Sequence, residues 1–197
     1  MFFYIAFAII FLPMVIIFPI KKIGKKNLKG LKGKNYIISC NHMSNLDPIM
    51  LDLVLGRKHR ILAKKELFKT KFSAALMRGL GAIPVDRKQA DTKAVKEIFK
   101  VLSNNKKVLI FPQGTRAKTV KIEGDTAKEG VAMFSIRTGT PVVPMMLHRK
   151  IKAFRRTKLI IGKPIYPDET RKKDKDYLTE FSNKIINEMN NLLEGDK

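Results

Sequence analysis

One cysteine, Cys40, stands among 197 residues. An internal disulfide is therefore excluded, and so is a cysteine-based metal site. Histidine is nearly as scarce. His42, His59 and His148 are scattered and form no zinc pattern. Both scarcities suit a reducing, cytoplasmic setting. Acidic residues are few: 17, against 40 lysines and arginines, for a net charge of +23. So basic a balance points to an anionic partner, whether membrane surface, phosphorylated substrate or nucleic acid. Nucleic acid fits least, because the sequence has no Arg-rich recognition helix and no aromatic pair arrayed as in single-strand binders. Internal repeats and linker-like stretches are also lacking, which favours one globular core.

What the chain does have begins with an uncharged run, MFFYIAFAIIFLPMVIIFPI, residues 1–20. As one helix it would extend about 30 Å, the thickness of a bilayer core. It has no basic n-region and no A-x-A-like site, which argues against a cleaved signal peptide. Pro13 removes a backbone hydrogen bond within the run. A kinked, monotopic anchor therefore stands beside a single-pass helix. KKIGKKNLKGLKGK, residues 21–34, follows with seven lysines and three glycines. It reads as a basic skirt that holds the chain against anionic headgroups on the cytoplasmic side. The expected division is an anchor and skirt over 1–34 and a folded domain over 35–197.

Beyond the skirt, strand and helix patterns alternate. Strands are expected at 34–40, from 60 into the stretch RILAKKEL, at 81–86, 106–112, 140–147 and 158–165. Pro144 points to an edge or a bulge in its strand. Helices are expected from Asp47 to about Leu55, up to Gly79–Gly81, over 91–103, over 127–138 with Gly139 as the terminating residue, and through the tail at Leu178, Phe181, Ile185, Met189 and Leu192. Such alternation predicts an α/β fold, a single domain with a mixed, largely parallel sheet flanked by helices.

Three segments carry chemistry. NHMSNLD (41–47) places His42 and Asp47 five positions apart, where a strand ends and a helix begins. Catalytic groups collect at such strand ends in α/β sheets. A carboxylate bonded to one imidazole nitrogen sets the tautomer and leaves the other nitrogen as a base. No serine accompanies the pair, so the nucleophile can be a hydroxyl of the substrate. Cys40, two residues away, is a rival nucleophile. FPQGTR (111–116) follows a strand: Gly114 permits close approach of the backbone, Thr115 offers a hydroxyl, and Arg116 can grip a phosphate. GAIPVDR (81–87) brings Arg87 to another strand end. Each also has an ordinary reading, as a hydrogen-bonded histidine or a surface turn.

Taken in order, these segments resemble the glycerophospholipid acyltransferase family, on its bacterial lysophosphatidic acid branch. His42–Asp47 matches the family's His-x4-Asp block. Gly81 to Arg87 matches G-x-I-x-x-x-R, and FPQGTR matches F-P-E-G-T-R with Pro112 in place. Val142, Val143 and Pro144 match a V-x-P strand, and ILAKKEL (61–67) also resembles its counterpart. Gln113 departs from the family, which carries glutamate there. It keeps an acceptor oxygen but loses the charge.

The resemblance implies acyl transfer from a thioester, on acyl carrier protein or coenzyme A, to the free sn-2 hydroxyl of lysophosphatidic acid. Phosphatidic acid would be the product, made at the cytoplasmic face of the membrane for phospholipid biosynthesis. His42 would be the base and Asp47 its partner. Arg87, Arg116 and Lys64, with Gln113, Gly114 and Thr115, would hold the acceptor and its phosphate. Gly81, Pro112, Val143 and Pro144 would shape the site. Such transfer needs no metal, no cofactor and no acyl-enzyme. A different lysophospholipid or polar lipid as acceptor, and a thioesterase built on Cys40 and His42, remain as alternatives.

Overall fold

A computed structural model describes residues 13–56, 59–86, 91–123 and 129–195. Seven strands form one sheet: β1 (Ile20–Ile23), β2 (Ile37–Cys40), β3 (His59–Lys64), β4 (Ala82–Val85), β5 (Lys107–Ile110), β6 (Val142–Leu147) and β7 (Thr157–Ile161). Their spatial order is β1-β7-β6-β2-β5-β3-β4. Every pair is parallel except β6 with β7. The helices are α1 (Asp47–Leu55), α2 (Lys71–Gly79), α3 (Thr92–Ser103), α4 (Gly130–Thr138) and α5 (Lys175–Glu194).

The central strands are covered on both faces, as their unbroken apolar runs require. Ile37, Val108, Ile110, Val142 and Met146 point to one side, into a core shared with α3, α4 and α5. Ile38, Cys40, Leu109, Val143, Met145 and Leu147 point to the other, toward Met50 and Leu51 of α1. This is the period-two alternation of strands, read on three neighbours at once. Thr70 opens α2 through a reciprocal capping box with Ser73. Gly139, at φ +66°, closes α4 in the left-handed region as the sequence suggests.

Two expectations change. Pro144 lies in β6, an interior strand, rather than at an edge. The sheet tolerates it because the ladder with β7 starts one residue later, at Met145 opposite Ile161. Pro144 still accepts the N–H of Gly162 at 2.8 Å. A Cβ on Gly162 would come within 2.8 Å of the proline ring, so the glycine makes the room.

The basic stretch 21–34, expected as a skirt outside the domain, belongs to it. Ile20–Ile23 is the edge strand beside β7, and Lys25–Leu31 is a 3-10 helix that buries Leu31. Gly24 joins them at φ +78°, where a Cβ would strike the Ile161 carbonyl. Two lysines in a four-residue strand hide the apolar signal, and lysine is what an edge strand favours. Residues 1–12 of the expected anchor lie outside the described residues. Among the described residues, no helix is long and apolar enough to cross a membrane.

Candidate active site

The sheet assembles the site by parallel register. β5, β2 and β6 run side by side, with Ser39 opposite both Ile110 and Pro144. Their C-terminal ends therefore deliver NHMSNLD, FPQGTR and the loop after Leu147 to one rim of the sheet. β3 brings Lys64 to the same rim. Crevices at this end are the usual ligand sites of open α/β sheets.

His42 Nδ1 lies 3.1 Å from Asp47 Oδ2. The same oxygen accepts the backbone N–H groups of Met43 and Ser44, each at 2.6 Å. Ser44 Oγ in turn accepts the N–H of Leu46 at 3.2 Å. The turn thus closes on itself before α1 begins, and Asp47 is fully buried at the helix's first position. A carboxylate is favoured at that end of a helix dipole. Since a carboxylate only accepts, Nδ1 carries the proton toward it and Nε2 is left as the basic nitrogen.

The FPQGTR loop is tied to this histidine. Gln113 Oε1 accepts the His42 backbone N–H at 3.0 Å, and the His42 carbonyl accepts the Ala117 N–H at 2.8 Å. The Phe111 ring stacks on the imidazole, with centroids 4.3 Å apart and planes at 23°. Gly114 makes the turn at φ +66°, with its N–H on the Phe111 carbonyl. The oxygen of Gln113, expected to meet the acceptor, is therefore engaged by the protein's own backbone. Pro112 is buried behind it.

A cavity of about 960 Å³ opens beside His42. Its lining includes cationic and polar side chains, among them Lys64, Thr115, Arg116, Lys118 and Lys150, and apolar ones such as Met43, Ile49, Leu67, Met77, Leu80 and Phe111. The arrangement suits a molecule with an anionic head and a hydrocarbon body. Lys64 also pairs with Glu66 at 3.3 Å. Arg87 lies outside the described residues. Gly81, at φ +69°, turns the chain into β4 at the opposite end of the sheet, where a Cβ would meet the Arg60 side chain. Val143 and Pro144 are buried in β6, behind the site.

Cys40 does not share the cavity. It is fully buried among Ile38, Met43 and Met50. Burial, and after it the charge of Asp47, push its thiol well up from the usual range, away from the thiolate a nucleophile needs.

Three positioning residues escaped the sequence reading. Phe111 was visible only as the start of a motif. Ser44 sits inside another. Asn41, fully buried, clamps the ends of β2 and β6 together by accepting the Leu147 N–H at 2.8 Å and donating to the Leu147 carbonyl at 3.0 Å. A polar residue between a buried strand and a histidine was the signal available for it.

Relatives fit this geometry. A 1-acyl-sn-glycerol-3-phosphate acyltransferase of Bacillus subtilis is 30% identical over 185 residues, covering 89% of this chain and 90% of that one. One of Streptococcus pneumoniae is 30% identical over 83% of this chain and 62% of its own length. The crystal structure of a 1-acyl-sn-glycerophosphate acyltransferase from Thermotoga maritima shares the fold, with a TM-score of 0.66 at 24% identity over 90% of this chain and 72% of that one. A model of the acyltransferase family matches residues 19–148, taking in β1 and every motif described above, and the chain belongs to that family.

Proposed function

We propose that this chain acylates the sn-2 hydroxyl of lysophosphatidic acid from a thioester donor, forming phosphatidic acid. The observation that carries the reading is His42, held by Asp47 at 3.1 Å on the wall of a cavity lined by both cationic and apolar side chains. The names of the relatives supply the acceptor.

His42 Nε2 takes the proton of the acceptor hydroxyl. The oxygen bonds to the thioester carbonyl carbon, the carbon–sulfur bond breaks, and the proton passes from the imidazolium to the departing thiolate. Asp47 holds the ring and stabilises its charged form. Arg116, Lys64 and Arg87 bind the phosphate and set the hydroxyl near the base. Acyl carrier protein or coenzyme A presents the thioester, and a +23 surface suits either anion. The apolar run at 1–20 holds the enzyme at the cytoplasmic face of the membrane, where its acceptor resides.

The test is acyl transfer in vesicles with lysophosphatidic acid and a long-chain thioester. Wild type should form phosphatidic acid, and a folded His42→Ala protein should lose about 10³-fold or more. Thioester consumption without phosphatidic acid would defeat the reading. Other lysophospholipids, run in parallel, decide the acceptor.

A further inference from the structure

Three polar contacts hold His42, and each of them leaves the faces of its ring untouched. Gln113 Oε1 accepts its backbone N–H at 3.0 Å, its carbonyl accepts the Ala117 N–H at 2.8 Å, and Asp47 Oδ2 lies 3.1 Å from Nδ1. One face of the imidazole is covered by Phe111, stacked on it with centroids 4.3 Å apart and planes at 23°. The imidazole is only 11% exposed, and both residues line the cavity.

The sheet sets this contact. Cys40 and Leu109, on the neighbouring parallel strands β2 and β5, both point toward α1. His42 and Phe111 each stand two positions further along, where the alternation of strands carries them to the same side. The turn after Phe111 fixes the root of its ring: its carbonyl accepts the Gly114 N–H at 3.0 Å, and Pro112 restricts the backbone between them.

A base that takes a proton from a lipid hydroxyl can also take one from water. Water is smaller and far more abundant, so a transferase has to keep it from the base. Water is held where it finds several polar partners. The Phe111 side chain carries no donor or acceptor, and it closes one side of the imidazole. An acceptor held by its own phosphate needs no partner on that side, whereas a water molecule does.

We infer that Phe111 decides which hydroxyl His42 activates, that of the lipid acceptor or that of water. It keeps the site a transferase by denying water a second foothold beside the base. In the reaction it suppresses, His42 takes a proton from water and the oxygen bonds to the thioester carbonyl carbon. The carbon–sulfur bond breaks, and the proton passes to the departing thiolate. A free carboxylic acid and a thiol result. The inference rests on the proposed function and names the residue that sets its specificity.

The test reads two products in one sample of the full-length protein in vesicles, with lysophosphatidic acid and a long-chain thioester: free fatty acid and phosphatidic acid. Their ratio is independent of any fraction that fails to fold. Wild type should form almost only phosphatidic acid. Phe111→Leu and Phe111→Asn both remove the ring, and the two new side chains branch alike. Leucine keeps an apolar cover, whereas asparagine gives water a partner. Phe111→Leu should therefore keep the ratio of fatty acid to phosphatidic acid near that of wild type. Phe111→Asn should raise it about ten-fold, the factor that one added hydrogen bond supplies. Phe111→Gln makes the same prediction and stands in if Phe111→Asn does not fold. Adding His42→Ala to the asparagine variant should abolish both products. Equal ratios in the leucine and asparagine variants would overturn the inference and leave the ring as packing. So would loss of both products in a folded asparagine variant, or fatty acid that survives without His42. A wild type that forms no phosphatidic acid fails the proposed function and takes the inference with it. Phosphatidic acid with unchanged ratios fails the inference alone.

Discussion

Gln113 Oε1 and the backbone N–H of His42 are 3.0 Å apart, and both are buried. The contact explains how glutamine can stand where the family carries glutamate, because the geometry uses an acceptor oxygen rather than a charge. Gln113→Glu keeps that oxygen and should retain transfer within a few-fold. Gln113→Ala strands the buried N–H of His42. It should cost about 1–3 kcal/mol of stability and reduce kcat more than it raises KM. Unfolding curves together with steady-state kinetics check both halves.

Asp47→Asn is the sharper test of the pair. The amide oxygen can still accept from Met43 and Ser44, so the turn should hold. That same oxygen faces Nδ1, so the ring stays oriented, but the buried carboxylate charge beside it is lost and the amide nitrogen takes the buried place of Oδ1 without a partner. Transfer should fall on the order of 10³-fold with the protein folded. Activity near wild type would remove Asp47 from the mechanism.

Cys40 should be inert. With its thiol buried and pushed upward, it should not react with a thiol reagent until the chain unfolds. Cys40→Ala should leave transfer within about two-fold, at a stability cost of about 1 kcal/mol for a small buried deletion. Rapid labelling of the native protein would contradict the packing, and loss of activity in a folded variant would revive a thiol nucleophile.

His59 predicts an acid limb. Burial, and after it Lys107, lower its ring to about 4 from 6.5. Asp52 Oδ1 lies 3.5 Å from Nε2 without a hydrogen bond, and this does not offset the burial. The unfolded chain thus takes up a proton near pH 6.5 that the folded chain refuses until about pH 4. Stability is complete above pH 6.5 and declines as pH falls to about 4, by up to about 3 kcal/mol. Denaturant midpoints across that range, compared with His59→Gln, should show a shallower decline in the variant. Identical slopes would exclude His59 as the source.

Much of this protein was legible along the chain. The α/β alternation, the strand that ends before His42, the helix that opens at Asp47 and the glycine that closes α4 rest on local physics: apolar period, dipole and backbone freedom. Those forces act within a few residues, so the sequence alone determines them. The contact between His42 and Asp47 was legible for the same reason, since a five-residue turn brings the two together.

Tertiary structure decided what lies between distant segments. Ile20–Ile23 is a strand only because the edge of β7 is open to it; alone, four residues with two lysines carry no strand signal. Pro144 fits an interior strand only because Gly162, eighteen positions later, leaves space for its ring. The bond from His42 to Gln113 spans 71 residues and exists because β2 and β5 are neighbours. Register across a sheet follows from burying many side chains at once, and no short stretch of sequence contains it.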